Sequence, residues 1–230
     1  MSDECYCEIG SHAQIDADVV LGYRYPGDSQ PAKIGDYAII RSGTIIYANT
    51  TIGHRFSCGH QVLIRAEVVL GDRVVVHHKC TLEGRIRIGN GVKIMAHVYI
   101  PSTTEIGNMV FIGPGTTFLN DRYPARLMHP VTGAKIEDHV TIGGGAVICP
   151  GVRIGRKAFV GAGALVNKDV PPEMLAYGVP ARHYPLPDAI AAGNLPEMLL
   201  PQTDLWGAHV DESWREDAFG KDSGASDHGL

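Results

Sequence analysis

From Ile34 to Val166 an apolar side chain returns at every sixth residue, with one interruption two repeats long. The register runs in unbroken steps from Ile34 through Cys58, Val76 and Ile100 to Phe118, then resumes from Ile136 to Val166. All 21 first positions are apolar, and the fifth position is Ala, Val, Thr or Cys in 18 of the 21, with Phe56, Ile86 and Arg122 as exceptions. A helix repeats every 3.6 residues and a strand every two, so a period of six matches neither a helical stripe nor a two-faced sheet. It is the pattern of a parallel β-helix, in which each hexad forms one side of a coil. Three hexads make a triangular turn of 18 residues, and successive turns stack ~4.8 Å apart through backbone hydrogen bonds.

That geometry predicts neighbours. Residues 34–123 supply five coils and 136–171 two more, and a partial register at Ile9, Ile15 and Leu21 adds an earlier one. The expected fold class is all-β, a parallel β-helix of 7–8 coils, with a protruding loop at 124–135 and a short C-terminal helical or irregular extension. The β-helix domain is expected over 1–185. Residues 186–230 form the extension, with a weak helical pattern at Ala189, Ile190, Leu199 and Leu200 and a Gly/Ser/Asp-rich, disordered end. Residues 18 apart lie above one another, so Asp36, Asp72, Asn90, Asn108 and, across the interruption, Asp138 share one corner column. Asn and Asp tolerate the left-handed backbone of such corners, so these are structural residues.

Composition narrows the partners. A net charge of −5 gives no reason to expect nucleic acid or an anionic membrane. No run approaches the ~18 apolar residues of a spanning helix, and the start has no basic region followed by an apolar run. Five cysteines, irregularly spaced, suit reduced thiols in the cytoplasm. Cys58 and Cys80 occupy core positions of the repeat, while Cys5 and Cys7 alone make a poor metal site.

The hexads, the protruding loop and the closing run Gly161-Ala-Gly-Ala-Leu-Val-Asn-Lys-Asp-Val-Pro-Pro172, followed by Gly178-Val-Pro-Ala-Arg182, resemble the left-handed β-helix acyltransferases. The resemblance spans about 9–183 and implies left-handed coils, a homotrimer and acetyl-CoA as co-substrate, with no metal. The phrase Phe118-Leu-Asn-Asp-Arg-Tyr-Pro124 resembles, more narrowly, the nucleotide-sugar N-acetyltransferases that acetylate a 3-amino sugar. Carried over, Asn120 positions the amine and Asp121 orients it or accepts its proton, while Arg122, Tyr123 and His78 contact substrate. Asn-Asp is equally good turn chemistry, and Arg122 could anchor the loop.

Acyl-CoA in that family lies in a groove between subunits, which needs small side chains along the coil. Gly144 and Ala162, in one column, are the expected wall, and Lys168 and Arg182 meet the CoA phosphates. Gly143 to Ala146 and Gly161 to Ala164 are also ordinary corner packing. Arg65 and Glu83 stack one coil apart as a structural ion pair. His60, His77, His78 and His97 fall on the side of the glycine wall. His97 or His78 as a general base would make the protein an O-acetyltransferase or an antibiotic acetyltransferase instead. A third alternative is a non-catalytic scaffold subunit. A metal site is disfavoured: His54 and His60 are six apart, and neighbouring His77 and His78 would point oppositely on a strand.

Overall fold

The computed structural model of the protein describes residues 6–25 and 30–199. The expected place of Leu200 in the helical pattern and the expected disorder of the chain end fall on residues 200–230, outside the described residues. Short strands of two to five residues assemble into three sheets, one per face of a triangular prism. The first and third sheets hold eight strands each and the second ten. All pairings are parallel except one terminal hairpin; the first step, Cys7 to Ala32, is 25 residues, and from there the register advances by 18 per coil, Lys33 pairing with Thr51, Thr51 with Val69 and Val69 with Arg87. Across the interruption the step is 30, with Glu105 beside Lys135 and Phe118 beside Ile148. The first coil, opening at Cys7–Ile9, is complete, so there are eight strands on each of two faces, as the partial register predicted.

The core is the period itself. Every first-position residue from Ile34 to Val166 is at most 4% exposed, and every fifth-position residue except Arg122 is also buried. With six residues per side, first and fifth positions face the axis and the corner residues between them turn the chain. At one corner Asp36, Asp72, Asn90, Asn108 and Asp138 form the expected column, and their Oδ1 atoms do its work. Asp72 accepts the amide of His54 (2.8 Å), Asn90 that of Asp72 (2.8 Å), Asn108 that of Asn90 (2.9 Å) and Asp138 that of Asn108 (2.7 Å). Asp36 accepts both the amide and the hydroxyl of Ser11, which hold its carboxyl below the usual range. Each side chain thus satisfies an amide that the turn leaves without a ladder partner.

The coil ends in a hairpin. Met174–Gly178 extends the second sheet beside Phe159–Val160 and pairs antiparallel with Ala181–Pro185 around a cis Val179-Pro180 bond. Beyond it the chain turns back along the outside of the second sheet. A 3-10 turn at Asp188–Ile190 and a short helix at Pro196–Leu199 are the helical content of this extension among the described residues. Asn194 donates to the carbonyls of Met109 and Val140, both at 2.9 Å, and Lys93 donates to the Met198 carbonyl at 3.2 Å. Leu199 is 3% exposed.

Candidate active site

The repeat fails at Arg122, and the structure opens there. After the strand Thr117–Phe118 the chain leaves the corner between the third and first sheets and rejoins it at Thr132 and Gly133. The amide of Thr132 donates to the Asn120 carbonyl (2.8 Å) and that of Gly133 to Thr103 Oγ1 (2.7 Å), which closes the neck of the loop. Asn120 sits directly above Ser102 and donates Nδ2 to its carbonyl (3.2 Å) and hydroxyl (3.0 Å). This fixes the amide orientation and turns Oδ1, without a hydrogen bond among the described residues, away from Ser102. Asp121 Oδ1 accepts the Tyr123 amide (2.8 Å) and faces His129 Nε2 (3.0 Å). His129 Nδ1 lies 3.1 Å from the Pro130 carbonyl, and its ring packs edge-on against Tyr123 at 5.7 Å. Arg122 reaches back to the Pro150 carbonyl at 3.4 Å.

Asn120, Arg122, Tyr123, His129, Thr132 and Pro150 line an open cleft of about 240 Å³, with Asp121 held beside it by His129. Sequence reasoning passed over His129. Its signal was its place: a histidine inside the segment that breaks the period, eight residues beyond Asp121. A carbonyl and a carboxylate only accept, so both ring nitrogens are satisfied as donors when the imidazole carries two protons. The pair is partly buried, at 28% and 34% side-chain exposure for His129 and Asp121.

The second predicted group lies on a different corner, between the second and third sheets. There His60, His78, Ala96, Pro114, Gly144 and Ala162 form one column. The residues that follow them, Gln61, Lys79, His97, Gly115, Gly145 and Gly163, all have left-handed φ of 57° to 69°. Backbone bonds confirm the stacking: His97 donates to the His78 carbonyl, Gly145 to that of Pro114 and Gly163 to that of Gly144. His78 and His97 meet edge-on at 5.7 Å, and His60 Nδ1 lies 2.8 Å from Ser42 Oγ. His77 and His78 stand where the strand Val75–Val76 gives way to the corner, rather than alternating along a strand. His77 is half-buried. Burial, then Lys93 and His78, push its pKa down, and its Nε2 is buried without a partner among the described residues. No group of three potential metal ligands occurs among the described residues.

Toward the C-terminal end this corner is bare. A Cβ at Gly143 would fall 2.4 Å from the Ala162 nitrogen, so that glycine is set by coil packing. At Gly145 and Gly163 a Cβ would meet nothing within 4 Å. The same column carries Gln61, Lys79 and His97 at the same φ, so the turn does not require glycine there. Lys168 and Arg182 are exposed at this end, Arg182 in the hairpin opposite Tyr177. Lys168 lies six residues past Ala162, at the far end of the third-sheet strand and on the loop's corner. Within one chain, then, Asn120, Asp121, Arg122, Tyr123 and His129 are together, whereas His78, His97, Gly144 and Ala162 share one corner but are spread along it over four coil steps, about 19 Å. The two groups are separated by one side of the coil, at most about 20 Å for six extended residues.

Comparison with known proteins agrees with this architecture. The bacterial transferase hexapeptide model, of six repeats, matches residues 85–120 and 133–168. A UDP-N-acetylglucosamine acyltransferase from Bacteroides fragilis superposes with a TM-score of 0.67 at 19% identity, over 82% of this chain and 73% of that one. The coil is thus a left-handed β-helix, with hexapeptides of the bacterial-transferase type over 85–120 and 133–168. Among curated relatives, the galactoside O-acetyltransferase of Lactococcus lactis is 34% identical over 41% of this chain and 50% of its own length. That of Escherichia coli is 38% identical over 35% and 42%, and the putative acetyltransferase YvoF of Bacillus subtilis 36% over 43% and 59%. The chain spans about half the length of the curated relatives it matches.

Proposed function

We propose that the protein is an acetyl-CoA-dependent N-acetyltransferase acting on the amino group of a nucleotide-linked amino sugar. It works in the cytoplasm as a homotrimer with each active site shared by neighbouring copies. The observation that carries this reading is the Asp121–His129 pair beside Asn120, in the cleft where the coil breaks. Names of the relatives support acetyl transfer; the choice of an amine rests on the cleft and on the Asn-Asp phrase.

The chemistry asks for three things, and this chain supplies residues for each. The amine must be held with its lone pair toward the thioester, and positioning of this kind contributes much of an acyl transfer's acceleration. Asn120 Oδ1, oriented by Ser102, accepts one amine hydrogen. As the N–C bond forms and the C–S bond breaks, CoA leaves as its thiolate and the amine's surplus proton passes to the Asp121 carboxylate, whose Oδ1 is held by His129 and the Tyr123 amide. The thioester must lie against a surface without side chains, and the corner of Gly144, Gly145, Ala162 and Gly163 is such a surface. Lys168 and Arg182 then face the CoA phosphates. Because the cleft and the bare corner are on different corners of one coil, a cleft between two copies is what brings them face to face.

A second reading is favoured by His78 and His97, which lie on the same corner as the bare stretch, N-terminal to it. A histidine base there would deprotonate a hydroxyl, as in O-acetylation. Paired variants separate the two. Asp121→Asn and His129→Gln should each lower kcat on an amino-sugar nucleotide strongly while His97→Ala leaves it. The reverse pattern selects O-acetylation.

A further inference from the structure

A cluster of tyrosines near the start of the coil has no part in the acyl-transfer site above. Tyr23, Tyr25 and Tyr47 gather on the outer surface of the third sheet, with centroids 4.8 Å (Tyr23–Tyr47), 5.1 Å (Tyr25–Tyr47) and 6.2 Å (Tyr23–Tyr25) apart. Arg65 joins them. Its Nη2 donates to the Tyr25 hydroxyl (3.0 Å), and its guanidinium lies 5.8 Å and 6.0 Å from the Tyr25 and Tyr47 ring centres. Its Nη1 pairs with Glu83 Oε2 at 2.5 Å. The core beneath is already filled by Ile46, Ile64 and Leu82, all fully buried. Tyr23 and Tyr25 remain 47% and 41% exposed, so the rings are not there to complete the core.

The stacking rule connects this cluster to the cleft. Tyr47, Arg65, Glu83, Pro101 and Leu119 form one row along the third sheet, and the row ends at the residue before Asn120. Four steps of ~4.8 Å make it about 19 Å long, comparable to an extended nucleoside-diphosphate sugar. The adjoining corner is kept small by Ala48, Ala66, Gly84 and Ser102; a Cβ at Gly84 would lie 2.7 Å from the Ala66 carbonyl oxygen. Arg85, exposed at that corner, makes no ion pair among the described residues, and Glu67 stands one coil before it. Along this edge the aromatic faces are followed by two coils that each carry a guanidinium and a carboxylate (Arg65 and Glu67, then Glu83 and Arg85), and then by the amine-handling cleft.

We infer that this edge binds the nucleoside diphosphate of the acceptor, with the base on the tyrosine cluster and the sugar amine at Asn120. The inference rests on the proposed function and deepens it. A base stacks on the Tyr25 and Tyr47 faces, as aromatic platforms hold bases without needing hydrogen-bond readout. The ribose hydroxyls lie near the carboxylates of Glu67 and Glu83. The diphosphate meets Arg85, whose guanidinium matches phosphate oxygens bidentately, while Arg65, already paired with Glu83, contributes mainly its plane.

The test uses the full chain, with UDP, dTDP and GDP as separate probes in titration calorimetry. The wild type should bind at least one of them saturably. Tyr25→Ala and Arg85→Gln should each weaken that binding about tenfold or more, raise KM for the amino-sugar nucleotide with kcat little changed, and leave acetyl-CoA affinity alone. If the variants bind as the wild type does, or if Tyr25→Ala instead changes the oligomeric state, the platform is overturned, while acetylation of an amino-sugar nucleotide would still stand. If diphosphates bind and the variants abolish it, but no nucleotide-linked amine is acetylated, the platform stands and the proposed function falls.

Discussion

Replacing Gly145 by Gln separates what the fold needs at the bare corner from what a ligand needs. Gly145 has φ of +68°, a conformation that disfavours a side chain by about 1–2 kcal/mol. Nothing lies within 4 Å of where its Cβ would be, so no clash is added. Gln61 occupies the same column at φ of +58° in the native chain, which shows that the coil accommodates this residue. The expected loss of stability is therefore about 1–2 kcal/mol, a fall in Tm of only a few degrees for a chain of this size. The new side chain, however, fills the space proposed for pantetheine, and acetyl-CoA affinity should fall about tenfold or more. Gly143→Ala is the contrasting control. Its Cβ would press on the Ala162 nitrogen at 2.4 Å, so it should destabilise the coil far more than Gly145→Gln does, although it adds only a methyl group. Urea or thermal unfolding gives the stability, and calorimetric titration with acetyl-CoA gives the affinity. Unchanged acetyl-CoA affinity in a folded Gly145→Gln protein would refute the assignment of this corner to the cofactor.

Asn108→Ala removes the acceptor of the Asn90 amide and should cost about 1 kcal/mol in unfolding free energy, whereas Asn108→Asp keeps the acceptor but sets a second carboxylate against Asp138. Equal stability of Asn108→Ala and wild type would argue against the corner ladder. His77 has its folded pKa lowered, so the unfolded chain binds more protons in the window below the ordinary histidine value near 6.5. Its contribution to stability is complete above that value and is lost as pH falls toward the folded pKa; His77→Phe should flatten the stability–pH curve below about pH 7. His129→Gln should loosen the loop as well as slow turnover, read as faster amide exchange across 122–131 with global Tm nearly unchanged; unaltered exchange would remove the loop-holding role of the Asp121 pair.

The coil could be read from the sequence almost residue by residue. Two inward positions per hexad repeat with no tertiary surprise, so Ile34 through Val166 and the corner column of Asp36 to Asp138 fell where an 18-residue turn puts them. Parallel register in this fold is local bookkeeping: each strand's partner is one turn away in the chain. What the period could not reveal was everything off the period. His129 reaches Asp121 only through the path of the loop, for which no repeat gives a rule. Asn194 crosses more than 50 residues of sequence to meet Val140 and Thr141, and the tyrosine cluster depends on chain before the continuous register begins. The column arithmetic also separated Asn120 from Gly144 by a full side of the coil, a distance that the resemblance alone had not expressed.

Acetyl transfer to a nucleotide-linked amine is the claim on which the rest depends. The most direct measurement incubates the purified full-length protein with acetyl-CoA and a panel of amino-sugar nucleotides, with galactosides alongside, and follows free CoA while mass spectrometry locates the acetyl group. The account predicts CoA release with an N-acetylated nucleotide sugar, and loss of that activity in Asp121→Asn. Release of CoA only with the galactosides, or no release with any amine, would contradict it.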